Sequence, residues 1–371
     1  MGSREDFVSE STFTYGQIEK LLQDYYKSQA IFKSFSSKRL SGEEGDSAKI
    51  VRLKIQWNEA GQNLVAALSE GADSWTELTH HAECSFYHLT KNFRSELKLP
   101  ECLYDERIVS GKTKGLLILE DFGEKGTTLG FGTADISIVE ELVDYIATLQ
   151  AVGLENPSWG QPGVLGPTPV AMLHSDETFV SMLASGVETS VKHWPDDVGP
   201  LATAFQALCP NLERKKHFQD SFLTMGIPPM LVHGDFNLGN AVIKYAPERT
   251  GVDDVTAVFD WQMCHCGGPA EDLAAVICMS LDSKTRREST GHLLERFHST
   301  LQRRLGQKPA PFSLEQLKEI YKHSMLLIAF QLCAFWSVIA LEERWTEEER
   351  RSIVDRLRGV LEDVIANEAN T

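Results

Sequence analysis

Positive charge is scarce in this chain. Thirty-six Lys and Arg face 53 Asp and Glu among 371 residues, a net charge of −17 at pH 7. A surface so biased repels polyanions, which argues against nucleic acid as the main partner. An apolar opening is also lacking. The first ten residues hold no hydrophobic stretch of an export signal, and Asp6 stands where a myristoylation signal needs Ser or Thr. Cysteine is sparse and odd in number. Seven residues (Cys84, Cys102, Cys209, Cys264, Cys266, Cys278 and Cys333) cannot all pair in a disulfide framework, so a reducing, cytoplasmic setting is expected. One stretch, Met325 to Leu341, carries no charged residue and has the look of a membrane span. That run includes Gln331 and Ser337 and is short for a membrane span, so it reads as a buried helix. Internal repeats and low-complexity tracts are absent. One local absence bears on chemistry: no Lys or Arg occurs between Lys54 and Lys91.

What is present is an ordinary globular composition, with 42% apolar and 24% charged residues, in a chain long enough for two lobes. Thr14-Tyr-Gly-Gln17 has the form of a capping box opening a helix through Leu21, Leu22 and Tyr25. Val51-Arg-Leu-Lys-Ile55 alternates as a strand does, and Ser74 to Phe93 reads as helix. Gly115-Leu-Leu-Ile-Leu-Glu-Asp121 is an apolar strand ending in acids, followed by a glycine-rich loop. This places a boundary between residues 1–121 and 122–371. Beyond it, Asp135 precedes a helix with the stripe Ile136, Val139, Val143, Ile146 and Leu149, expected to end at Gly153. Ser313-Leu-Glu-Gln316 is a second capping box. A strand-rich interruption is expected near residues 230–260, within an otherwise helical second part.

That interruption carries the chemistry. Leu231-Val-His-Gly-Asp-Phe-Asn-Leu-Gly-Asn-Ala-Val-Ile-Lys244 and Val255-Thr-Ala-Val-Phe-Asp-Trp-Gln262 both set polar residues beside short β-branched runs. Asp235, Asn240 and Asp260 are thereby expected at strand ends. Phosphoryl transfer needs a carboxylate that orients and deprotonates the attacking hydroxyl, and oxygen ligands that hold Mg²⁺ against nucleotide phosphates. Asp235 suits the first role, Asn240 and Asp260 the second. The five-residue step from Asp235 to Asn240 equals that of the protein-kinase catalytic loop, with Gly234 in place of Arg.

The run His233-Gly-Asp-Phe-Asn-Leu-Gly-Asn240, with Phe259-Asp-Trp-Gln262 and Gly268-Pro-Ala-Glu-Asp-Leu-Ala274, resembles the aminoglycoside phosphotransferase and choline kinase superfamily. More narrowly it resembles the choline/ecdysteroid kinase-like family, from about residue 80 onward. The resemblance implies an α+β, two-lobed, protein-kinase-like fold, with a small antiparallel β N-terminal lobe binding nucleotide and a large, mainly helical C-terminal lobe. It implies ATP and Mg²⁺ as cofactors and a small-molecule hydroxyl acceptor: a steroid alcohol, an amino alcohol or a glycoside. Glu83, in His80-His-Ala-Glu-Cys-Ser-Phe-Tyr87, is similar to the helix glutamate of that family, and Lys54 is the candidate for the lysine it holds. Gly42, Gly45 and Ser47 offer a phosphate-covering turn, though one loaded with Glu43, Glu44 and Asp46. Glu120 and Phe122 fall where a hinge would present backbone groups to adenine. Asp272, at a helix opening, and His233 read as supports of the metal loop.

Two registers stay open in the first lobe. Arg52 stands two residues before Lys54, where the kinase strand Val-Ala-Ile-Lys carries a small residue. Gln56 to Leu64 also resembles the turn before a further strand, in which case Lys54 lies one strand too early. The expected activity is ATP-dependent phosphorylation of a small alcohol. The alternatives are a catalytically impaired pseudokinase and a small-molecule-binding protein with a degenerate first lobe. Cys264-His-Cys266 lacks the second ligand pair of a zinc site. Oligomeric state is left open.

Overall fold

The computed structural model describes residues 4–8, 11, 13–27, 32–41, 49–57, 60–69, 74–109, 114–122, 126–161, 164–165, 176–209, 220–244 and 254–369. It divides into two compact units, Met1–Lys125 and Gly126–Thr371.

The first unit opens with α1 (Tyr15–Tyr26), whose start is set by the reciprocal capping box of Thr14 and Gln17. Three strands follow, β1 (Phe32–Ser41), β2 (Lys49–Trp57) and β3 (Ala60–Ser69), then α2 (Ser74–Thr90), β4 (Cys102–Glu106) and β5 (Gly115–Glu120). They form one five-stranded antiparallel sheet in the order β1-β2-β3-β5-β4. Alternation along β2 buries Val51, Leu53 and Ile55 against Ile18 and Leu22 of α1 and Leu116 and Ile118 of β5. Burying each such side chain contributes about 1.5–3 kcal/mol. Arg52 and Lys54 consequently stand on the other face. Buried His80 of α2 bonds the Glu106 carbonyl through Nε2 at 2.8 Å and packs against Gly115.

The second unit is built around α3 (Ile136–Glu155), buried along most of its length. Helix α4 (Asp176–His193) and α5 (Val198–Leu208) follow. Then come the short strands β6 (Met230–Val232), β7 (Ala241–Lys244), β8 (Asp254–Val258) and β9 (His265–Gly267). Four further helices complete it: α6 (Glu271–Ser280), α7 (Ser283–Leu305), α8 (Leu314–Gln331) and α9 (Glu347–Ala369). Helix α3 does not stop at Gly153. It runs two residues further because that glycine admits close packing: an added Cβ would lie 2.9 Å from the Leu231 Cβ of β6. Helix α8 begins at the Ser313/Gln316 capping box and passes through a π-helical turn, Leu332–Trp336. This apolar segment is mostly buried inside the protein, the pattern of a core helix.

Fully buried Arg356 on α9 ties several elements together. Its guanidinium donates to the carbonyls of Phe131, Gly132 and Met279, and its Nε donates to Ser352 O at 3.1 Å. Trp336 lies beneath it, 4.9 Å from the ring centroid. The backbone of residues 126–134 is fastened at its other end by a two-way bridge between Thr127 and Ile243 and by Leu129 N–H on Leu238 O at 3.2 Å.

Candidate active site

Strands β6 and β9 pair antiparallel, as do β7 and β8, and two connections emerge from them side by side. Residues 233–240 join β6 to β7; residues 259–264 join β8 to β9. The first connection makes its tight turn at Gly234, where φ is +87° and an added Cβ would sit 2.2 Å from Met263 O. No other residue fits there, which is why Gly follows His233. Asp260 also lies in the left-handed region, with φ +65°, which turns the chain out of β8 into the short helix Trp261–Met263. Asp tolerates this conformation better than most residues.

The carboxylate of Asp235 is held from both sides. Asn237 Nδ2 donates to Oδ1 at 3.0 Å and Asn240 Nδ2 donates to Oδ2 at 3.2 Å, and both amides also reach the Asp235 carbonyl. With its nitrogen turned onto Asp235, the Asn240 side chain keeps its oxygen for another partner. Asn237 further fixes the turn by accepting Gly239 N–H at 2.8 Å. Sequence reasoning gave Asn237 no role, although it stands inside the motif.

Beneath this loop, Asp272 accepts the N–H groups of His233 at 2.8 Å and Gly234 at 3.1 Å, one on each oxygen. It lies in the first turn of α6, where the helix end favours negative charge. His233 is fully enclosed. Its Nδ1 accepts Asp235 N–H at 3.3 Å and its Nε2 donates to Phe259 O at 3.0 Å, so the neutral ring satisfies both contacts. Burial pushes its pKa down to about 4, against the opposing pull of the Phe259 carbonyl. Its two ring bonds brace the loop. Phe236 stacks on Tyr145 of α3, centroids 5.7 Å apart, and anchors the same loop in the core.

His265 behaves oppositely. Burial pulls its pKa down, but both ring nitrogens face acceptors, Met263 O at 2.8 Å and Glu271 Oε2 at 3.1 Å, and the net shift is upward. Both nitrogens of this imidazole are thus engaged by protein groups, and among the described residues no cluster of three or more His, Cys, Asp or Glu gathers around it.

The two acidic groups of the loops are costly to charge. Burial raises the pKa of Asp235, partly offset by the amides of Asn237 and Asn240. Burial and then the charge of Asp235 raise Asp260 to about 7, opposed by Gln262 N–H. Asp272 is likewise raised by burial to about 7, against its backbone donors. Asp260, Asn240 and Asp235 present only hard oxygen ligands, and the mutual repulsion of the two carboxylates is what a small divalent cation relieves. The donor set fits Mg²⁺, which takes one or two side-chain ligands and completes its shell with phosphate and water.

The first unit departs from expectation. Gly42, Gly45 and Ser47 lie outside the described residues. Lys54 is exposed on β2, the second strand, whereas the protein-kinase lysine stands on the third. The third strand here, Ala60–Ser69, carries no basic residue. Glu83 makes no ion pair with Lys54 among the described residues. It lies instead toward β4, where burial and then the charges of Asp105 and Glu83 raise the Cys102 thiol to about 12. Glu120 is also diverted from a hinge role: its N–H bonds Glu101 O at 2.9 Å, and its carboxylate takes Arg94 Nη2 at 3.0 Å. Phe122 follows β5, outside the ladder and half-buried.

Known proteins place this geometry in context. A curated relative from Caenorhabditis elegans, "Uncharacterized kinase-like protein D1044.1", is 24% identical over 291 residues, 73% of this chain and 71% of its own. The solved choline kinase of Cryptosporidium parvum superposes with a TM-score of 0.52 at 12% identity, covering 90% of this chain and 91% of that one. An ethanolamine kinase of Plasmodium vivax gives 0.49 at 12% identity, covering 96% and 90%. The fold is thus the two-lobed, kinase-like α+β fold. The family described as "Uncharacterized oxidoreductase dhs-27" matches residues 47–370, which include the loops of Asp235 and Asp260, and the chain belongs to that family, DUF1679.

Proposed function

We propose that this protein is an ATP- and Mg²⁺-dependent phosphotransferase acting on a hydroxyl of a small molecule. The observation that carries the reading is the Asp235 carboxylate, clamped by two amides and set beside Asp260, whose own ionisation it opposes. Asp235 would accept the acceptor's proton at a carboxylate oxygen; its raised pKa brings it closer to the working range of a general base. Asn240 and Asp260 would hold the cation, which when bound neutralises charge on the transferred phosphoryl group. The remaining contribution of the chain is positioning: Asp272, His233 and Asn237 fix the loop so that no reorganisation is needed at reaction.

The likeness to the choline/ecdysteroid kinase-like family supports steroid alcohols, amino alcohols and glycosides as the acceptors to screen. The family description speaks of an oxidoreductase. Hydride transfer from a dinucleotide is usually served by a parallel, doubly wound sheet, whereas every strand pairing among the described residues is antiparallel, which favours phosphoryl transfer. Seven free thiols support a reducing, cytoplasmic setting.

Calorimetric titration with ATP, with and without Mg²⁺, tests the reading, together with ADP release in the presence of the three acceptor classes. Asp260→Asn is expected to lose Mg²⁺-dependent binding, and Asp235→Ala to keep binding and lose turnover. Turnover retained in Asp235→Ala removes the assigned base. No nucleotide binding at millimolar concentration favours a ligand-binding protein instead.

A further inference from the structure

The connection that carries Asp260 returns to β9 through Met263, whose carbonyl is a meeting point. An added Cβ at Gly234 would lie 2.2 Å from that oxygen and 3.0 Å from His265 Nδ1, so the turn before Asp235 rests on both groups. His265 Nδ1 bonds the same oxygen at 2.8 Å, and its Nε2 bonds Glu271 Oε2 at 3.1 Å. One ring thereby joins three segments of the second unit: the turn before Asp235, the end of the Asp260 connection and the first turn of α6. Gly267 leaves room for the pair, since a Cβ there would sit 2.6 Å from Glu271 Oε1 and 2.7 Å from His265 Nε2.

These contacts fix the charge on the ring. A carbonyl oxygen accepts and never donates, and an ionised carboxylate does the same, so both ring nitrogens have to donate. Neutral imidazole has one N–H; two donations require imidazolium. Placing the shared proton on Glu271 instead is disfavoured, because its Oε1 accepts Gly268 N–H at 2.5 Å and the helix end favours a carboxylate. The surroundings agree. Burial pulls the ring's pKa down, but Glu271, Met263 O and the charge of Asp272 on α6 carry it above the ordinary value. His233, across the loop of Asp235, is held neutral by burial, and the thiols of Cys264 and Cys266 beside the ring are pushed up by burial. Val232 of β6, paired with His265, adds no charge.

We propose that His265 is a positioning residue that carries a full positive charge at neutral pH, and that this enclosed imidazolium, held by Glu271, locks the connection of Asp260 against the turn of Asp235. Its effect on nucleotide binding rests on the phosphotransferase reading; its charge does not. When the proton leaves, one ring nitrogen turns a lone pair toward an acceptor oxygen and one of the two contacts is lost. A histidine in the unfolded chain titrates near about 6.5, below the raised native value. The stabilisation is therefore complete below about pH 6.5 and is lost as pH rises through the native value.

The discriminating variant is Glu271→Gln. Its amide nitrogen can donate to a neutral His265 Nε2 while its oxygen still accepts Gly268 N–H, so the contacts persist without the charge. The experiment is nitrogen-15 NMR of histidine-labelled wild type and Glu271→Gln from pH 5.5 to 9.5, with thermal unfolding and Mg·ATP titration at the same pH values. One histidine of the wild type is expected to hold protons on both ring nitrogens at pH 7.5 and to hold one in Glu271→Gln. The Tm advantage of wild type over the variant is expected to be greatest near pH 6 and to shrink by roughly 3–5 °C per pH unit above about pH 6.5. Across the range in which the ring loses its proton, the Mg·ATP affinity of wild type is expected to fall about tenfold relative to that of the variant, in which the contacts remain. No doubly protonated ring in the wild type at pH 7.5, a reading that needs no variant to fold, overturns the proposal. So does a Tm difference that does not change with pH. An affinity ratio that stays constant while the ring loses its proton removes the positioning role. A folded wild type that binds no Mg·ATP at any pH sinks the phosphotransferase reading, and the charge of His265 is then decided by the ring nitrogens and the Tm difference.

Discussion

Asp260→Asn is expected to stabilise the protein above pH 7 while leaving it unchanged near pH 4. Asn shares the tolerance of Asp for the left-handed conformation, at φ +65°, and its side-chain oxygen can still take Gln262 N–H. The substitution therefore removes the charge and little else. In the folded protein the Asp260 pKa stands at about 7 against an ordinary 3.8, raised first by burial and second by Asp235. Below the ordinary value the group is neutral in both folded and unfolded chains and costs nothing. Between the two values the unfolded chain ionises first, and the native state loses stability with every rise in pH; above the upper value the loss is constant. Three pH units at about 1.36 kcal/mol each set a ceiling of about 4 kcal/mol. Coupling to Asp235 and partial access to water reduce the expected gain to about 1–3 kcal/mol, which for a unit of this size raises Tm by roughly 2–10 °C. The assay is thermal unfolding of wild type and variant from pH 4 to pH 8.5 without divalent cations. A gap that is flat across pH, or a variant less stable at pH 8, refutes the reasoning. Saturating Mg·ATP is expected to raise the wild type alone, by about 2.7 kcal/mol at a hundred times Kd.

Gly234→Ala combines a disallowed backbone angle with a Cβ placed 2.2 Å from Met263 O, so a loss of more than about 3 kcal/mol is expected in chemical denaturation. Wild-type stability in that variant means the turn is not as tight as described. Asn237→Ala frees one oxygen of Asp235, together with the Asp235 carbonyl and Gly239 N–H, and leaves the side chains of Asn240 and Asp260 in place; turnover is expected to fall about tenfold or more with Mg·ATP affinity retained, since the bond to the charged group is lost. A fall in affinity with unchanged turnover contradicts the clamp.

What could be read from sequence was local. The capping boxes at Thr14 and Ser313 use residues three apart, and the loop from His233 to Asn240 uses residues within one turn, so spacing alone exposed them. The end of α3 was missed because Gly153 serves a contact with Leu231, 78 positions away in a different element, and not a helix stop. For Lys54 the sequence left two registers open, and the pairing of Ala60–Ser69 between β2 and β5 selects the one in which Lys54 lies a strand too early. Arg52 stood where a small residue is usual, and its partner Asp121, 69 residues on, was invisible. The support beneath the site is of the same kind: His265 pairs with Glu271 across a turn, and only the fold shows that Met263 O faces both His265 and Gly234.

Arg356 has a consequence for the order in which the molecule assembles. It grips the backbone of Phe131 and Gly132 across 225 and 224 residues of chain, and that same stretch carries Leu129 to the Leu238 carbonyl in the loop of Asp235. During synthesis, β6, β7 and the loop between them are made long before α9. Until α9 docks, the carbonyls of Phe131, Gly132 and Met279 lack their shared donor. The loop of Asp235 is thus translated early and braced late, so a nascent chain stalled before α9 would carry the complete motif without its final support.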